Sequence, residues 1–218
     1  PTELVITARA GTPLAAIESV LRERGQMLAF EPPHFGPTAT LGGCIAAGLA
    51  GPRRAYTGAV RDFVLGVRML DGRGNDLRFG GQVMKNVAGF DVSRLMAGSM
   101  GTLGVILEVS LKVLPLPVAE ETLHFEKSAA EAIKSINEWA GQPLPLSATA
   151  WSNGALRLRL SGASAAVEAA VTTLGGARLD PVQAERFWQG IREHNDAFFK
   201  SAQPLWRQAS AMPSMIFS

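Results

Sequence analysis

The sequence predicts an α+β chain built from two domains, and three observations carry that prediction. The first half sets apolar strands between glycine-rich turns. Prolines at 115 and 117 then interrupt an alternating, β-branched run, which is typical of the end of a strand. From Glu120 the pattern changes to strands and helices in the order β-α-β-β-α-β. We therefore predict a first domain over residues 1–117 and a second over 118–218.

The first domain opens with a predicted strand over Glu3–Ala10 and a helix that follows at once. Thr12 is expected to cap this helix, and Pro13 suits its first position because proline has no N–H to leave unpaired. Gly25 is expected to end it. The apolar stripe between these limits consists of Leu14, Ile17, Leu21 and the adjoining Val20.

Turn chemistry predicts a hairpin further along this domain. Phe63–Leu70 has the pattern of a strand, Asp71–Gly74 supplies the turn residues, and Asp76–Phe79 has the pattern of the second strand. A last strand is expected over Gly104–Leu114. The loop Glu31–Pro37 contains three prolines, which exclude a regular helix or a central strand there.

Two glycine-rich segments are the candidate functional features of the first domain. In the first, Pro37–Gly48, a loop leads into a short helix of small residues with Thr40 at its N-cap. A helix start rich in glycine leaves backbone N–H groups open and carries a partial positive charge, which suits a phosphate. Neither segment has the spacing of a Rossmann or P-loop motif, so both of those classes are disfavoured.

The second segment runs from Phe79 through Asp91 and on to Ile106. Asp91 is expected to cap a helix that ends at Met96, and a glycine-rich turn then enters an apolar strand. The glycines of that turn recur at a spacing of three: Gly98, Gly101 and Gly104. Glycine lets a backbone approach a ligand closely, but a tightly packed helix-to-strand turn explains the same spacing.

The second domain carries strong local signals. Ser128 and Glu131 form a capping box that opens a helix extending to about Ala140. A hairpin signal, Ser152-Asn153-Gly154, separates two strands. The other predicted elements are strands at Thr122–Glu126, Ser147–Trp151, Ala155–Leu160 and Ala177–Leu179, and helices at Ala163–Leu174 and Val182–His194. This order is the ferredoxin-like arrangement. From Gln203 onward the sequence looks irregular, so we expect this domain to be incomplete at its C-terminus.

Composition disfavours several functional classes. The 218 residues are 47% hydrophobic and 18% charged, and a net charge of +2 is too small to favour nucleic acid as a partner. Cys44 is the only cysteine, which rules out an internal disulfide framework and fits a small buried thiol. No apolar run is long enough for a transmembrane segment. No metal site is predicted, because the three histidines lack ligand spacing: His34, His124 and His194.

Five motifs in a fixed order resemble one known family. They are Thr38–Gly43, Gly51–Arg54, Tyr56–Asp62, Asp71-Gly72 and Gly98–Ile106. Together they are similar to the FAD-linked oxidases of the vanillyl-alcohol oxidase type, and within that group to the FAD-binding subunits of bacterial glycolate oxidase. The resemblance implies the second part of a PCMH-type FAD-binding domain, followed by the ferredoxin-like domain in a substrate or cap role. It also implies that the first part of the FAD domain, with its pyrophosphate loop, would precede Pro1.

The resemblance carries a set of candidate cofactor contacts onto this sequence. Contacts near the ribityl-pyrophosphate are expected from Thr38, Thr40, Leu41, Gly42 and Gly43. Backbone contacts are expected from Gly98, Gly101, Gly104, Val105 and Ile106. Arg53 is included because it matches the family's loop beyond the glycine helix, as do Arg54, Tyr56 and Asp62. Plain surface ion pairing is the alternative for that loop. No catalytic base and no carboxylate-binding arginine can be assigned, so the catalytic residues stay unknown.

The implied activity is that of an FAD-dependent oxidoreductase acting on CH–OH groups, which converts a small 2-hydroxy acid to the 2-oxo acid. In the resembled family such a subunit works beside a second flavoprotein subunit and an iron–sulfur subunit. A cytoplasmic location is expected, with peripheral attachment to the inner membrane through those partners. Iron–sulfur clusters usually take four cysteines, so a cluster would belong to a partner. Two alternatives stay open: an assembly module that binds no flavin, and a stand-alone oxidase of the same family.

Overall fold

The computed structural model of this protein describes residues 4–81 and 90–200. The chain divides into two compact units, Pro1–Leu116 and Pro117–Ser218. The functional roles assigned above to domains 1–117 and 118–218 stay predictions. Two predicted features lie outside the described residues: the stretch Gln82–Gly89 within the second glycine-rich segment, and the irregular region from Gln203 onward.

The first unit contains a four-stranded sheet in the order β1-β5-β3-β4, in which every neighbouring pair is antiparallel. Its strands are β1 (Val5–Arg9), β3 (Val64–Leu70), β4 (Asp76–Gly80) and β5 (Val105–Lys112). A separate two-stranded sheet pairs β2 (Gln26–Met27) with β6 (Leu114–Pro115). The helices are α1 (Leu14–Glu23), α2 (Leu41–Ala47), α3 (Arg54–Thr57) and α4 (Val92–Leu95), with a 3-10 helix at Val60–Asp62.

Helix α1 forms where the sequence places its apolar stripe. The buried side chains are Leu14, Ile17 and Leu21, which lie on one face at helical spacing and join the core of this unit. Val20 is 43% exposed and lies outside the stripe. Gly25 adopts a positive φ of 65° directly after the helix, which is the conformation that glycine favours at a helix end.

The predicted cap of α1 is wrong by one residue. Pro13, rather than Thr12, is the N-cap, and no side chain caps the helix. The cause lies in tertiary structure, because Pro13 forms an isolated β-bridge with Thr40. Around that bridge the Leu14 N–H donates to the Ala39 carbonyl at 2.9 Å. The start of α1 is therefore fixed by the chain that leads into α2.

The predicted hairpin is confirmed by the antiparallel pairing of β3 with β4. Its turn is organised by the Asp71 carboxylate, which accepts hydrogen bonds from the Arg73 N–H at 2.8 Å and the Asn75 N–H at 2.9 Å. Hydrogen bonds from the Asn75 side chain and backbone hold the pKa of Asp71 below its usual range. The last predicted strand is confirmed as β5, which pairs with both β1 and β3.

The second unit is a four-stranded antiparallel sheet in the order β10-β7-β9-β8. The strands are β7 (Ala119–Glu126), β8 (Leu146–Ser152), β9 (Ala155–Gly162) and β10 (Ala177–Arg178). The helices are α5 (Ala129–Ala140), α6 (Ser164–Leu174) and α7 (Pro181–Arg192), with a 3-10 helix at Ala197–Lys200. The order of elements from β7 to β10 is ferredoxin-like, so that prediction is confirmed.

Local signals explain most of these boundaries. The Ser128 hydroxyl accepts from the Glu131 N–H at 3.4 Å, and the Glu131 carboxylate accepts from the Ser128 N–H at 2.9 Å. This is the predicted capping box at the start of α5. Asn153 and Gly154 both have positive φ, 50° and 77°, as a two-residue hairpin turn requires.

The two faces of this sheet differ in chemistry. One face packs against α6 and forms a core of Leu123, Leu158, Leu160, Val167, Ala170 and Val171. On the opposite face Thr122 and Arg159 lie side by side on β7 and β9. Helix α7 covers them with Trp188, whose Nε1–H donates to the Thr122 hydroxyl at 2.9 Å. The Arg159 guanidinium lies 5.0 Å from the Trp188 ring, so polar contacts rather than an aliphatic core hold α7 here.

Leu158→Ala tests the core of the second unit. Leu158 is fully buried, so we expect the free energy of unfolding to fall by about 3 kcal/mol. The control Val182→Ala removes a side chain that is 63% exposed and should change stability by less than about 0.5 kcal/mol. Urea unfolding followed by tryptophan fluorescence measures this unit alone, because all four tryptophans lie beyond residue 117. Equal losses in both variants would contradict this account of the core.

Candidate functional site

The first glycine-rich segment forms α2, a helix of seven residues with defined ends. Thr40 is its N-cap, as predicted, and the Thr40 hydroxyl accepts from the Gly43 N–H at 3.3 Å. Gly48 ends the helix in the left-handed conformation, with φ of 67° and ψ of 21°. A side chain at that position would be strained, so glycine defines where α2 stops.

The N-terminal amides of α2 are paired within the protein, so the expectation of open N–H groups there is wrong, whereas the predicted cofactor contacts of this segment stay predictions. The Leu41 N–H donates to the Thr12 carbonyl at 2.9 Å, and the Gly42 N–H donates to the Ala10 carbonyl at 2.8 Å. The third amide, of Gly43, is taken by the Thr40 hydroxyl. A Cβ on Gly42 would lie 2.6 Å from the Cβ of Ala10, so this glycine serves close packing.

The C-terminal half of α2 contacts the turn that follows α4. The Gly98 N–H donates to the Ile45 carbonyl at 3.0 Å, and the Met100 N–H donates to the Ala46 carbonyl at 2.9 Å. A Cβ on Gly48 would lie 2.8 Å from the Cα of Gly98, so the two backbones are in direct contact. The structure therefore brings the two glycine-rich segments together.

The turn itself, Gly98–Gly104, is built from left-handed residues. Positive φ angles occur at Gly98 (83°), Met100 (52°), Gly101 (76°) and Gly104 (146°). Within residues 4–81 and 90–200, no atom lies within 4 Å of a Cβ added to Gly98 or Gly101, so this part of the chain leaves the backbone of both glycines uncovered. Upstream, the Asp91 carboxylate accepts from the Arg94 N–H at 3.1 Å, which confirms the predicted cap of α4.

The hydrogen-bonding groups of this turn fit a ligand rich in acceptors. Among the described residues, the N–H groups of Gly101, Leu103 and Gly104 donate to no backbone carbonyl. The Ser99 hydroxyl oxygen is buried, and it has no hydrogen-bond partner among residues 4–81 and 90–200. Buried polar atoms are almost always paired in native proteins, so the unpaired Ser99 hydroxyl beside these amides calls for an explanation, and a bound ligand or water is one. The donor set suits a ligand that presents oxygen or nitrogen acceptors.

Apolar side chains surround this turn and are open to solvent. Their exposed fractions are 99% for Phe90, 61% for Leu95, 71% for Met100, 46% for Leu103 and 62% for Val105. Large apolar side chains at such exposure mark a surface that a ligand or another protein covers. We call these five residues the apolar rim.

The other predicted contact residues fall into two groups. Thr38 and Gly43 are exposed near α2, although the Gly43 N–H already donates to the Thr40 hydroxyl. Leu41 is 1% exposed within the core, and Ile106 packs against that core, so neither side chain faces an open surface. Gly104 is packed under β3, where a Cβ would collide with the Leu70 carbonyl oxygen. For Gly104 the tightly packed turn is the better explanation of its identity.

Arg53 does not present its guanidinium to the surface. The residue is 6% exposed, and its Nε–H donates to the Glu31 carboxylate at 3.0 Å. Surface ion pairing, the alternative considered for this loop, therefore does not describe Arg53. Asp62 accepts from the Ala59 N–H at 2.8 Å and so organises the local backbone, whereas Arg54 is exposed.

Burial makes the single thiol of the chain unreactive. Cys44 is 9% exposed on α2. Desolvation raises the pKa of Cys44 from 9.0 to about 12, with a smaller contribution from the negative charge of Glu18. The neutral thiol is therefore the form present at physiological pH, and it behaves as a small apolar side chain.

In the described ranges, no three His, Cys, Asp or Glu side chains are grouped so that they could hold a metal ion. His34 instead contacts Glu18, with 3.3 Å between Nε2 and Oε2. No helix within residues 4–81 and 90–200 is long and apolar enough to cross a membrane.

Comparisons with known proteins agree with this geometry. Residues 1–80 match the FAD binding domain family. The glycolate oxidase subunit GlcE of Escherichia coli is 55% identical over 207 residues, which are 95% of this chain and 58% of GlcE. This chain is therefore similar to the FAD binding domain family over its first 80 residues and to GlcE over nearly all of its own length. The family match confirms FAD as the predicted cofactor type.

One further relative and one solved structure are also similar to this chain. The glycolate oxidase subunit GlcD of Bacillus subtilis is 40% identical over 84 residues, which are 38% of this chain and 18% of GlcD. A solved structure of alkyldihydroxyacetonephosphate synthase has the same fold, with a TM-score of 0.67 at 18% identity. That alignment covers 90% of this chain and 44% of the synthase. The predicted fold class, a vanillyl-alcohol-oxidase-type FAD domain followed by a ferredoxin-like domain, is confirmed.

Two residues of the candidate site and its surroundings were missed in the sequence. Ser99 lies between two glycines of the predicted turn, and a hydroxyl inside a glycine-rich turn was the available signal. Glu31 precedes two prolines, and nothing local indicates that it pairs with Arg53, which lies 22 residues away. The roles of all the predicted contact residues in FAD binding stay predictions.

Gly104→Ala and Gly101→Ala separate the packing role of the turn from its open backbone. At Gly104 the new Cβ would collide with β3, so we expect the first unit to lose about 3 kcal/mol of stability or more. At Gly101 the space is open, and only the left-handed backbone is penalised, by about 1 kcal/mol. Denaturant unfolding, monitored through the exposure of the Cys44 thiol, measures the free energy of unfolding of both variants. Similar losses at the two positions would refute the distinction.

Cys44 should be inert to thiol reagents in the folded protein at pH 8 and should react fully once the chain is unfolded. Folding raises the pKa of Cys44, so the protonated thiol favours the folded state. Its contribution to the free energy of unfolding is complete below pH about 9 and is lost as the pH rises toward about 12. A chromogenic disulfide reagent measures the reaction, and the sequence contains no second cysteine to confuse it. Reaction of the native protein at the rate of a free thiol would contradict the assigned burial.

Proposed function

We propose that this chain is an FAD-binding subunit of a glycolate (2-hydroxy acid) oxidase. The single observation that carries the proposal is 55% identity to GlcE over 95% of the chain. The chain spans 58% of the length of GlcE, so the activity of the whole protein is part of the proposal. The open amides and the unpartnered Ser99 hydroxyl of the turn support a site for FAD beside α2.

Bound FAD would supply the redox chemistry, by accepting a hydride as the hydroxy acid becomes the 2-oxo acid. The residues of this chain bind and orient the cofactor. The N–H groups of Gly101, Leu103 and Gly104 donate to its acceptors, and Ser99 adds a hydroxyl. The apolar rim excludes water from the same surface, which strengthens those hydrogen bonds. No proton-transfer step is assigned to a residue of this chain.

The partners we propose are the other subunits of a glycolate oxidase complex. GlcD, a relative of this chain, is itself named as a glycolate oxidase subunit. We expect a second flavoprotein subunit and an iron–sulfur subunit beside this chain, with location in the cytoplasm or at the inner membrane through those partners. One cysteine is too few to hold an iron–sulfur cluster, so the cluster would lie in a partner.

A second candidate function is an assembly module of the same family that binds no flavin. The apolar rim favours it, because Phe90, Met100 and Val105 are exposed as they would be on a surface that docks another protein. The occupied amides at the start of α2 also favour it, because they remove one expected set of phosphate donors. The two candidates differ in whether the purified chain retains FAD.

The visible absorbance of the chain, before and after FAD is added and the mixture is gel-filtered, distinguishes these functions. We expect flavin absorbance to co-elute with the protein. Ser99→Ala should then weaken binding by about two- to tenfold, as loss of one hydrogen bond implies. Its stability should hardly change, because the hydroxyl has no partner in the described residues. Ser19→Ala, an exposed serine of α1, is the matched control. A chain that never retains FAD would favour the assembly module.

A further inference from the structure

A buried ion pair joins the loop before α2 to the loop after it. The Nε–H of Arg53 donates to one carboxylate oxygen of Glu31 at 3.0 Å, and the backbone N–H of Arg53 donates to the other at 3.0 Å. The side chains of Arg53 and Glu31 are 7% and 17% exposed. The carboxylate therefore holds both the side chain and the backbone of Arg53.

Neighbouring hydrogen bonds reinforce this junction. The Gly51 N–H donates to the Phe30 carbonyl at 2.8 Å, and the Thr57 hydroxyl donates to the Ala29 carbonyl at 3.2 Å. Phe30 is fully buried and packs on Phe63, with 5.4 Å between ring centroids. We call the junction of residues 29–31 with residues 51–57 the clasp.

The clasp closes a loop that contains the whole of α2. Glu31 and Arg53 are 22 residues apart, and α2 (Leu41–Ala47) lies between them. A helix this short has little stability of its own, so contacts at its two ends decide where it lies. The start of α2 is tied to Ala10 and Thr12, and the clasp fixes the chain beyond its end.

The backbone at Glu31 shows that the clasp also directs the loop before α2. Glu31 has a positive φ of 48°, which is uncommon for a residue other than glycine. Its N–H donates to the Leu28 carbonyl at 3.0 Å, and Pro32 and Pro33 follow it and are both buried. The ion pair thus holds an unfavourable backbone turn in place, and that turn aims the chain toward Thr38.

We propose that Arg53 is a positioning residue that acts through Glu31. The clasp fixes α2 against the turn Gly98–Gly104, so that the open amides of the turn and the exposed face of α2 form one surface. This inference rests on the proposed function, because that surface is the proposed FAD site. In this proposal Arg53 does not contact a phosphate directly, since the Glu31 carboxylate accepts the Arg53 Nε–H and would repel an anion placed beside it.

A double-mutant cycle on the full chain tests the proposal. The variants are Arg53→Met, Glu31→Gln and the two combined, with Arg61→Met as a matched control at an exposed arginine of the same unit. We expect each single variant to raise the Kd for FAD by about tenfold through loss of preorganisation. The double variant should be no worse than the weaker-binding single variant, because both remove the same junction. The control should bind as the parent does.

Hydrogen exchange at the amides of α2 gives a second measurement that needs no cofactor. Exchange should accelerate in Arg53→Met and in Glu31→Gln alike, and stay unchanged in Arg61→Met. A direct phosphate contact predicts the opposite pattern: weaker FAD binding in Arg53→Met alone, unchanged or tighter binding in Glu31→Gln, and unchanged exchange in both. That pattern would overturn the proposal.

The two proposals fail in different ways. If the parent chain binds no FAD, the proposed function fails. The hydrogen-exchange rates of the α2 amides then test on their own whether the clasp positions α2. Unchanged exchange in both single variants overturns it. If Arg53→Met does not fold, Arg53→Lys keeps the positive charge but loses the Nε donor, and the same comparison with Glu31→Gln applies.

Discussion

The approach of two backbones at Gly48 and Gly98 is the constraint on which the candidate site depends. A single added carbon at Gly48 would lie 2.8 Å from the Cα of Gly98. Because no side chain separates the two backbones here, the end of α2 and the turn after α4 are close enough to hydrogen-bond. The carbonyls of Ile45 and Ala46 accept from the N–H groups of the turn. The open amides of the turn lie beside α2 for this reason. The candidate surface is thus a product of backbone packing, and its side chains mostly form the border.

The second unit was predictable because its signals are local. A capping box, a two-residue hairpin turn and a pair of glycines after α6 each act within a few residues, and each gave a boundary close to the observed one. The ferredoxin-like order follows from the succession of those elements. The polar attachment of α7 through Trp188 and Thr122 did not follow, because these residues are 66 positions apart in the chain.

In the first unit, contacts between residues far apart in the chain could not be predicted from local sequence signals. The sequence predicted which segments would form the site, and the two glycine-rich segments do meet. It could not predict that Ala10 and Thr12 would occupy the amides of α2, because those partners come from the strand and turn before α1. The burial of Arg53 was hidden for the same reason: its partner, Glu31, lies before α2. Resemblance to a family predicted that Arg53 lies near the cofactor, and the structure pairs it with Glu31.

The pairing of β1 with β5 has a consequence for how the chain is made. Val5 lies opposite Lys112, so β1 has no β5 to pair with until more than a hundred further residues have been synthesised. During that interval the strand presents unpaired edges, and the apolar stripe of α1 has no completed core to cover it. The first unit therefore folds late and nearly all at once, when β5 arrives. A nascent chain stalled before Lys112 is a natural client for chaperones, whereas the second unit closes its central hairpin over only a few residues.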